Sequence, residues 1–122
     1  MSTKCESEKG GLPGGEAVVL AEQVSYQDGA IVSRTLAKRG GGTVTLFAFD
    51  AGQALSEHTA PFDALVHVLD GEAELVIGGK SVPARAGQAV LMPAHVPHAV
   101  NAQRRFKMLL VMVREAEAGA GH

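Results

Sequence analysis

From position 17 to position 113 the chain alternates short apolar runs with clusters of turn-forming residues. The runs are AVVLAEQVSY (17–26), AIVSRTLA (30–37), TVTLFAFD (43–50), DALVHVL (63–69), EAELVI (72–77), SVPA (81–84), QAVLM (88–92) and AVNAQRRFKMLLVMV (99–113). Between them stand QDG, KRGGG, DAG, TAP, DG, GGK, RAG and PAHVP. Valine, threonine, isoleucine and phenylalanine dominate the runs, and all but the last are too short for a typical helix. Each is therefore expected to be a strand. Strands at this spacing, with 15 glycines placing the turns, predict an all-β sandwich or barrel. The last run is long enough to compete as a helix. Its alternation of Phe106, Met108, Leu110 and Met112 favours a strand, and the state of the residues after Arg114 is left open.

The pattern also sets boundaries. Residues 1–15 are charged or glycine-rich and are expected to form a flexible N-terminal arm, free or ordered against a partner subunit. Residues 16–114 form the β-barrel, and residues 115–122 a small, polar C-terminal tail that frays. At 122 residues this is one domain. No tandem repeat is present.

Composition narrows the function classes. Hydrophobic residues make up 46% and charged residues 20%, an ordinary globular mixture. A net charge of −2 gives no field to draw in nucleic acid or an anionic membrane. Arg104, Arg105 and Lys107 beside Phe106 form the one basic cluster, which reads as the wet face of a strand. The longest apolar run, MLLVMV (108–113), is far too short to span a bilayer, and no secretory leader is legible. The single cysteine, Cys5, has no disulfide partner, which fits a reducing cytoplasm. The expected setting is a soluble cytoplasmic protein with neither nucleic-acid nor membrane partners.

Two other motifs dissolve on inspection. GGKS (78–81) resembles the end of a phosphate-binding loop, but Glu74 stands where that motif needs glycine, and Val82-Pro83 denies the helix that must follow. No serine has the surroundings of a nucleophile elbow. Gly40–Gly42 reads as a hairpin turn.

The chemistry-bearing segments are Gly52-x5-His58, followed by a turn at Pro61 and a strand over 64–69, and Gly87-QAVLM-Pro93-AHVP-His98-AV-Asn101. Each has a glycine turn, a strand and a histidine, a layout that can aim histidines from distant parts of the chain into one barrel interior. With LDGEAEL (69–75), AGQAVLMP (86–93) and the pair Pro97-His98, these segments resemble the cupin superfamily in its small single-domain form, over roughly residues 43–113.

That resemblance implies a double-stranded β-helix, a jelly-roll barrel, commonly a homodimer. It also implies a metal site of three histidines and one glutamate. His58 and His98 match two of these ligands. The second histidine of the first motif falls on Ala60 and the glutamate on Ala64, so the set is degenerate. Asp63 and His95 are the residues able to supplement it. Asp63 with the two histidines would make a two-histidine, one-carboxylate set suited to iron or manganese. The cofactor implied is a divalent transition metal (Fe, Mn, Ni or Zn), or none. His67 lies at odd separation from Ala64 and should face away if Ala64, Val66 and Val68 face inward. Met92, Met108 and Met112 read as core filler, and Asn101 as a strand-end residue.

Three functions follow. One is a metal-assisted enzyme of unknown substrate. Another is a metal-independent module that binds or senses a small molecule in a cavity enlarged by Ala60 and Ala64. The third is a dimeric structural or interaction protein with its barrel packed shut. Cavity volume beside His58 and His98 discriminates the third from the other two.

Overall fold

The computed structural model describes residues 4–7 and 11–114. Its strands are β1 (Lys4–Ser7), β2 (Ala30–Arg39), β3 (Gly42–Phe49), β4 (Ala54–His58), β5 (Phe62–Ile77), β6 (Lys80–Arg85), β7 (Ala89–Met92), β8 (His98–Asn101) and β9 (Phe106–Arg114). The chain adopts the expected all-β barrel. β2 and β3 form a hairpin about Gly40 and Gly41, β3 pairs with β9, and β9 pairs with the first half of β5. β7 pairs with that same half. The second half of β5 pairs with β6 and β8, and β8 pairs with β4. Two sheets thus share β5 and curl around one interior.

Two expectations about single runs are corrected. DALVHVL and EAELVI are not two strands with an Asp-Gly turn between them, because β5 runs through Asp70 and Gly71 without reversing. What changes there is the partner. Pairing with β9 ends at Gly71 opposite Phe106, after a register shift between Val68 and Asp70, and pairing with β6 begins at Glu72 opposite Arg85. Gly71 has φ +74°, the left-handed conformation that lets a strand bend between sheets. AVVLAEQVSY is not a strand either. It makes one 3₁₀ turn, Leu20–Glu22, with the Gln23 N–H donating to the Leu20 carbonyl at 3.0 Å.

Burial explains the second correction. Side chains of one face fill the barrel: Val66 and Val68 of β5, Leu75 beyond the register shift that switches its parity, Val100, Phe106 and Met108 are all buried. Phe49 and Phe106 stack there with ring centroids 4.5 Å apart. The opposite face of β2–β3 is apolar as well, and Val32, Leu36, Leu46 and Ala48 form a second core with Val24, flanked by Leu12, Leu20 and Tyr26. The segment 12–26 therefore lies across the outside of the sheet as a cover. Burying a valine such as Val24, 1% exposed, stabilises by about 1.5–3 kcal/mol.

The segment read as a free arm is partly engaged. β1 pairs parallel with β2, Lys4 opposite Ala30 through Ser7 opposite Ser33, and the Leu12 N–H donates to the Leu36 carbonyl at 3.3 Å. Residues 1–3 and 8–10 of that arm, and the tail 115–122, lie outside the described residues.

The basic cluster is also engaged. Arg105 bridges Asp28 at 2.5 Å and Asp50 at 2.7 Å, and Lys107 donates to the Ala21 carbonyl at 2.6 Å. Both cations lie about the ring of Tyr26, at 5.2 and 5.0 Å from its centroid, and the Tyr26 hydroxyl donates to Asp70 at 2.5 Å. Partial burial, and then this bond to a carboxylate, push the Tyr26 pKa up, so the ring stays neutral.

Asp50 accepts from Arg105 and from the Gly29 N–H at 2.6 Å. The Arg105 bond first, and then the Gly29 bond, hold its pKa down to about 2 from 3.8. A depressed carboxylate stabilises the fold fully above its unfolded pKa, and that contribution fades as pH falls from 3.8 towards 2. Asp50→Asn is therefore expected to lose stability at pH 6 and to show a shallower decline in urea midpoint between pH 4 and pH 2 than the parent. Equal slopes in the two proteins would remove Asp50 from the acid response.

A histidine pair at the end of an apolar cavity

β4 ends on His58 and β8 begins on His98, and the two residues are direct partners in the antiparallel ladder. A register shift between Leu55 and His58 turns the end of β4 so that both rings meet. Their centroids are 4.4 Å apart with planes at 69°. His98 is 5% exposed, whereas His58 sits on the rim.

The backbone sets the tautomer of each ring. His58 Nδ1 lies 2.9 Å from the Ser56 carbonyl oxygen, and His98 Nδ1 lies 3.1 Å from that of Val96. A carbonyl oxygen only accepts, so both Nδ1 atoms carry hydrogen and donate. In the neutral rings neither Nε2 atom then carries hydrogen, and the two lie 3.2 Å apart. Two acceptors at that distance repel unless a cation, either a proton or a metal ion, lies between them.

Behind the pair is a cavity of about 370 Å³ lined chiefly by apolar side chains, among them Leu55, Phe62, Met92, Val100, Met108 and Met112. The barrel is therefore not packed shut. Ala60 and Ala64 line the same cavity as His58 and His98, so the four positions expected to converge from the sequence do converge. Met92 and Met108 are buried as filler would be, yet they are also cavity wall.

The other candidates stand elsewhere. Ala64, Val66 and Val68 are buried, and Asp63 and His67 have the opposite parity on β5. The Asp63 Oδ1 accepts from the Ala94 N–H at 2.8 Å, tying the start of β5 to the turn that delivers His98. His95 is exposed on that turn, with φ +68°, and its N–H donates to the Ala60 carbonyl at 2.8 Å. Asp63 and His95 thus brace the site from outside. Asn101 ends β8 and donates to Glu74 at 3.3 Å.

The Nε2 spacing is that of two imidazoles on one metal ion, although with centroids 4.4 Å apart the rings must turn for both lone pairs to reach it. Two imidazole nitrogens at about 2.0–2.1 Å from zinc, at a near-tetrahedral angle, stand about 3.3 Å apart, close to the 3.2 Å observed. Among the described residues no group of three or more His, Cys, Asp or Glu side chains is placed to hold a metal. An ion held by the two histidines would have two protein ligands and its remaining positions open.

Comparison with known proteins gives the geometry a context. No curated protein matches the chain. Among solved structures, a conserved protein of unknown function from Streptococcus pyogenes is 33% identical, with 96% of this chain and 98% of that one covered and a TM-score of 0.84. A cupin superfamily protein from Desulfitobacterium hafniense is 28% identical over 85% of this chain and 95% of its own, with a TM-score of 0.80. A cupin 2 conserved barrel domain protein from Leptotrichia buccalis is 43% identical over 77% of this chain, which spans 46% of that longer protein, with a TM-score of 0.75. The cupin domain family itself matches residues 45–113, the span from β3 to β9 that encloses the histidine pair and its cavity. With that barrel and that match together, the chain belongs to the cupin family.

Proposed function

We propose that the barrel binds a small, largely apolar molecule, with His58 and His98 holding a divalent transition metal at the polar end of the cavity. The observation that carries this reading is the pair of bare Nε2 atoms 3.2 Å apart at the head of an apolar cavity. Cupins often bind metals or small molecules, and this cavity lies within the 300–1,000 Å³ typical of ligand pockets.

In this reading each residue has its own part. His58 and His98 would hold the cation, and the Ser56 and Val96 carbonyls keep both rings in the tautomer that offers Nε2. Met92, Met108 and Val100 exclude water from the inner wall and receive the apolar part of the molecule. Lewis acidity towards an oxygen or nitrogen of the bound molecule is the chemistry such a cation supplies. Ala60 and Ala64 contribute space and no charge.

Zinc titration of chelator-treated protein tests the reading. One zinc per chain is expected, with the imidazole Nε2 resonances of His58 and His98 shifting in nitrogen-detected NMR. His58→Ala or His98→Ala should weaken binding by about 100-fold or more, since a single imidazole remains. Zinc binding unchanged in His98→Ala, or none at millimolar zinc, would refute it.

A further inference from the structure

The barrel has a second concavity, of about 440 Å³, lined by Lys38, Arg39, Thr43, Phe62, Met112 and Arg114 among others. Phe62 and Met112 also line the cavity behind the histidines, so the two spaces flank the same pair of side chains. Strand register puts them on one face. Lys38 is opposite Thr43, Thr43 opposite Met112, and Met112 opposite Ala64. Direct partners across an antiparallel ladder project to the same side, which makes this row continuous with the histidine cavity. One row nearer the rim, Arg114 is opposite Phe62.

Two properties of this end point to an anion. Among the described residues, neither Lys38 nor Arg114 forms an ion pair with a carboxylate, and Arg39 adds a third positive charge, its guanidinium donating to the Lys38 carbonyl at 2.8 Å. The Thr43 hydroxyl is buried and, among the described residues, has no hydrogen-bond partner. A buried hydroxyl without a partner is uncommon and costly unless something arrives to satisfy it.

We propose that the molecule bound in the barrel is a small amphipathic carboxylate. Its carboxylate lies between Lys38 and Arg114 and accepts from the Thr43 hydroxyl once a χ1 rotation brings that group to the concavity, its apolar body lies along Phe62 and Met112, and its far end approaches His58 and His98. A monoanion matches a mouth that supplies charge at the rim and an apolar wall behind it. The planar fork of Arg114 suits a carboxylate in particular. This assignment rests on the proposed binding of a small molecule in the barrel and names its class.

Hexanoate and the isosteric neutral hexanamide are the probes, titrated into the full chain with methionine methyl carbons observed by NMR. Hexanoate is expected to shift the Met112 and Met108 methyls and to bind about tenfold more tightly than hexanamide, as a charge-assisted contact predicts. In the double variant Lys38→Met, Arg114→Met the two affinities should converge. Thr43→Val should weaken hexanoate binding while leaving the melting temperature equal to or above the parent's, because it removes a buried unpaired hydroxyl. Equal binding of acid and amide in the parent would overturn the carboxylate assignment and leave the small-molecule reading standing. So would a preference that survives the double variant. If neither probe moves the methyls, both readings of the cavity fall, while zinc titration still reports on the histidines separately.

Discussion

Replacing Ala60 with histidine and Ala64 with glutamate is expected to raise zinc affinity by about three orders of magnitude. Both positions line the same cavity as His58 and His98, and both are the positions at which the cupin resemblance implies a ligand. The double variant would give an ion held by the pair an additional imidazole and a carboxylate, closing most of its open positions with protein atoms. Room exists for both side chains in a cavity of about 370 Å³. Without metal the outcome reverses. Ala64 is 4% exposed, and a glutamate there would be desolvated beside apolar methionines, so the metal-free variant should melt below the parent. Competition against a chromophoric chelator measures the affinity, and melting with and without zinc measures the reversal. A gain under tenfold would mean that the two alanines do not converge with the histidines as the barrel places them.

Gly71→Ala is expected to cost about 3–5 kcal/mol, a large part of the stability of a domain this size. Gly71 has φ +74°, where an alanine is disfavoured by about 1–2 kcal/mol. A Cβ there would also collide with the Arg105 carbonyl oxygen and crowd Phe106. The colliding atom is backbone between β8 and β9, so relief requires moving the strand that carries Phe106 and Met108. Urea denaturation of the variant gives the loss directly. A cost under 1 kcal/mol would show that β5 can bend at this point without glycine. Gly29, also at positive φ, has open space around its Cβ position, so alanine there should cost only the conformational part.

These two glycines show where the sequence was legible and where it was not. Alternation in Phe106, Met108, Leu110 and Met112 was enough to place β9, because a half-buried strand must repeat every two residues. The Asp-Gly at 70–71 misled because the same dipeptide that reverses a hairpin also permits a bend between sheets, and only the partners on either side distinguish the two. AVVLAEQVSY has strand composition, but its apolar residues are drawn to the outside of β2–β3, a surface that exists only after the barrel forms. At the site, spacing drew attention to His58 and His98, whose rings meet, and parity turned His67 away. Asp63 has that same parity, so its direction could have been read once β5 was known to start at Phe62. Lys38, Thr43 and Arg114 left no signal along the chain. Their proximity depends on the β2–β3 register, which a shift between Thr35 and Ala37 offsets.

Because β5 belongs to both sheets, the barrel closes only when that strand is in place. Its ladders join residues 62–77 to β6, β7, β8 and β9, and β9 lies at the other end of the domain. β2, β3 and β9 can pair without it, but neither sheet is complete until β5 is in place. Pairings this distant must close long loops before they return any stability, which puts folding in the slow regime of β topologies, roughly milliseconds to seconds. Until those pairings close, the apolar strands β5 and β9 are exposed, and an unpaired strand edge in a slow-folding β protein is open to pairing with another copy.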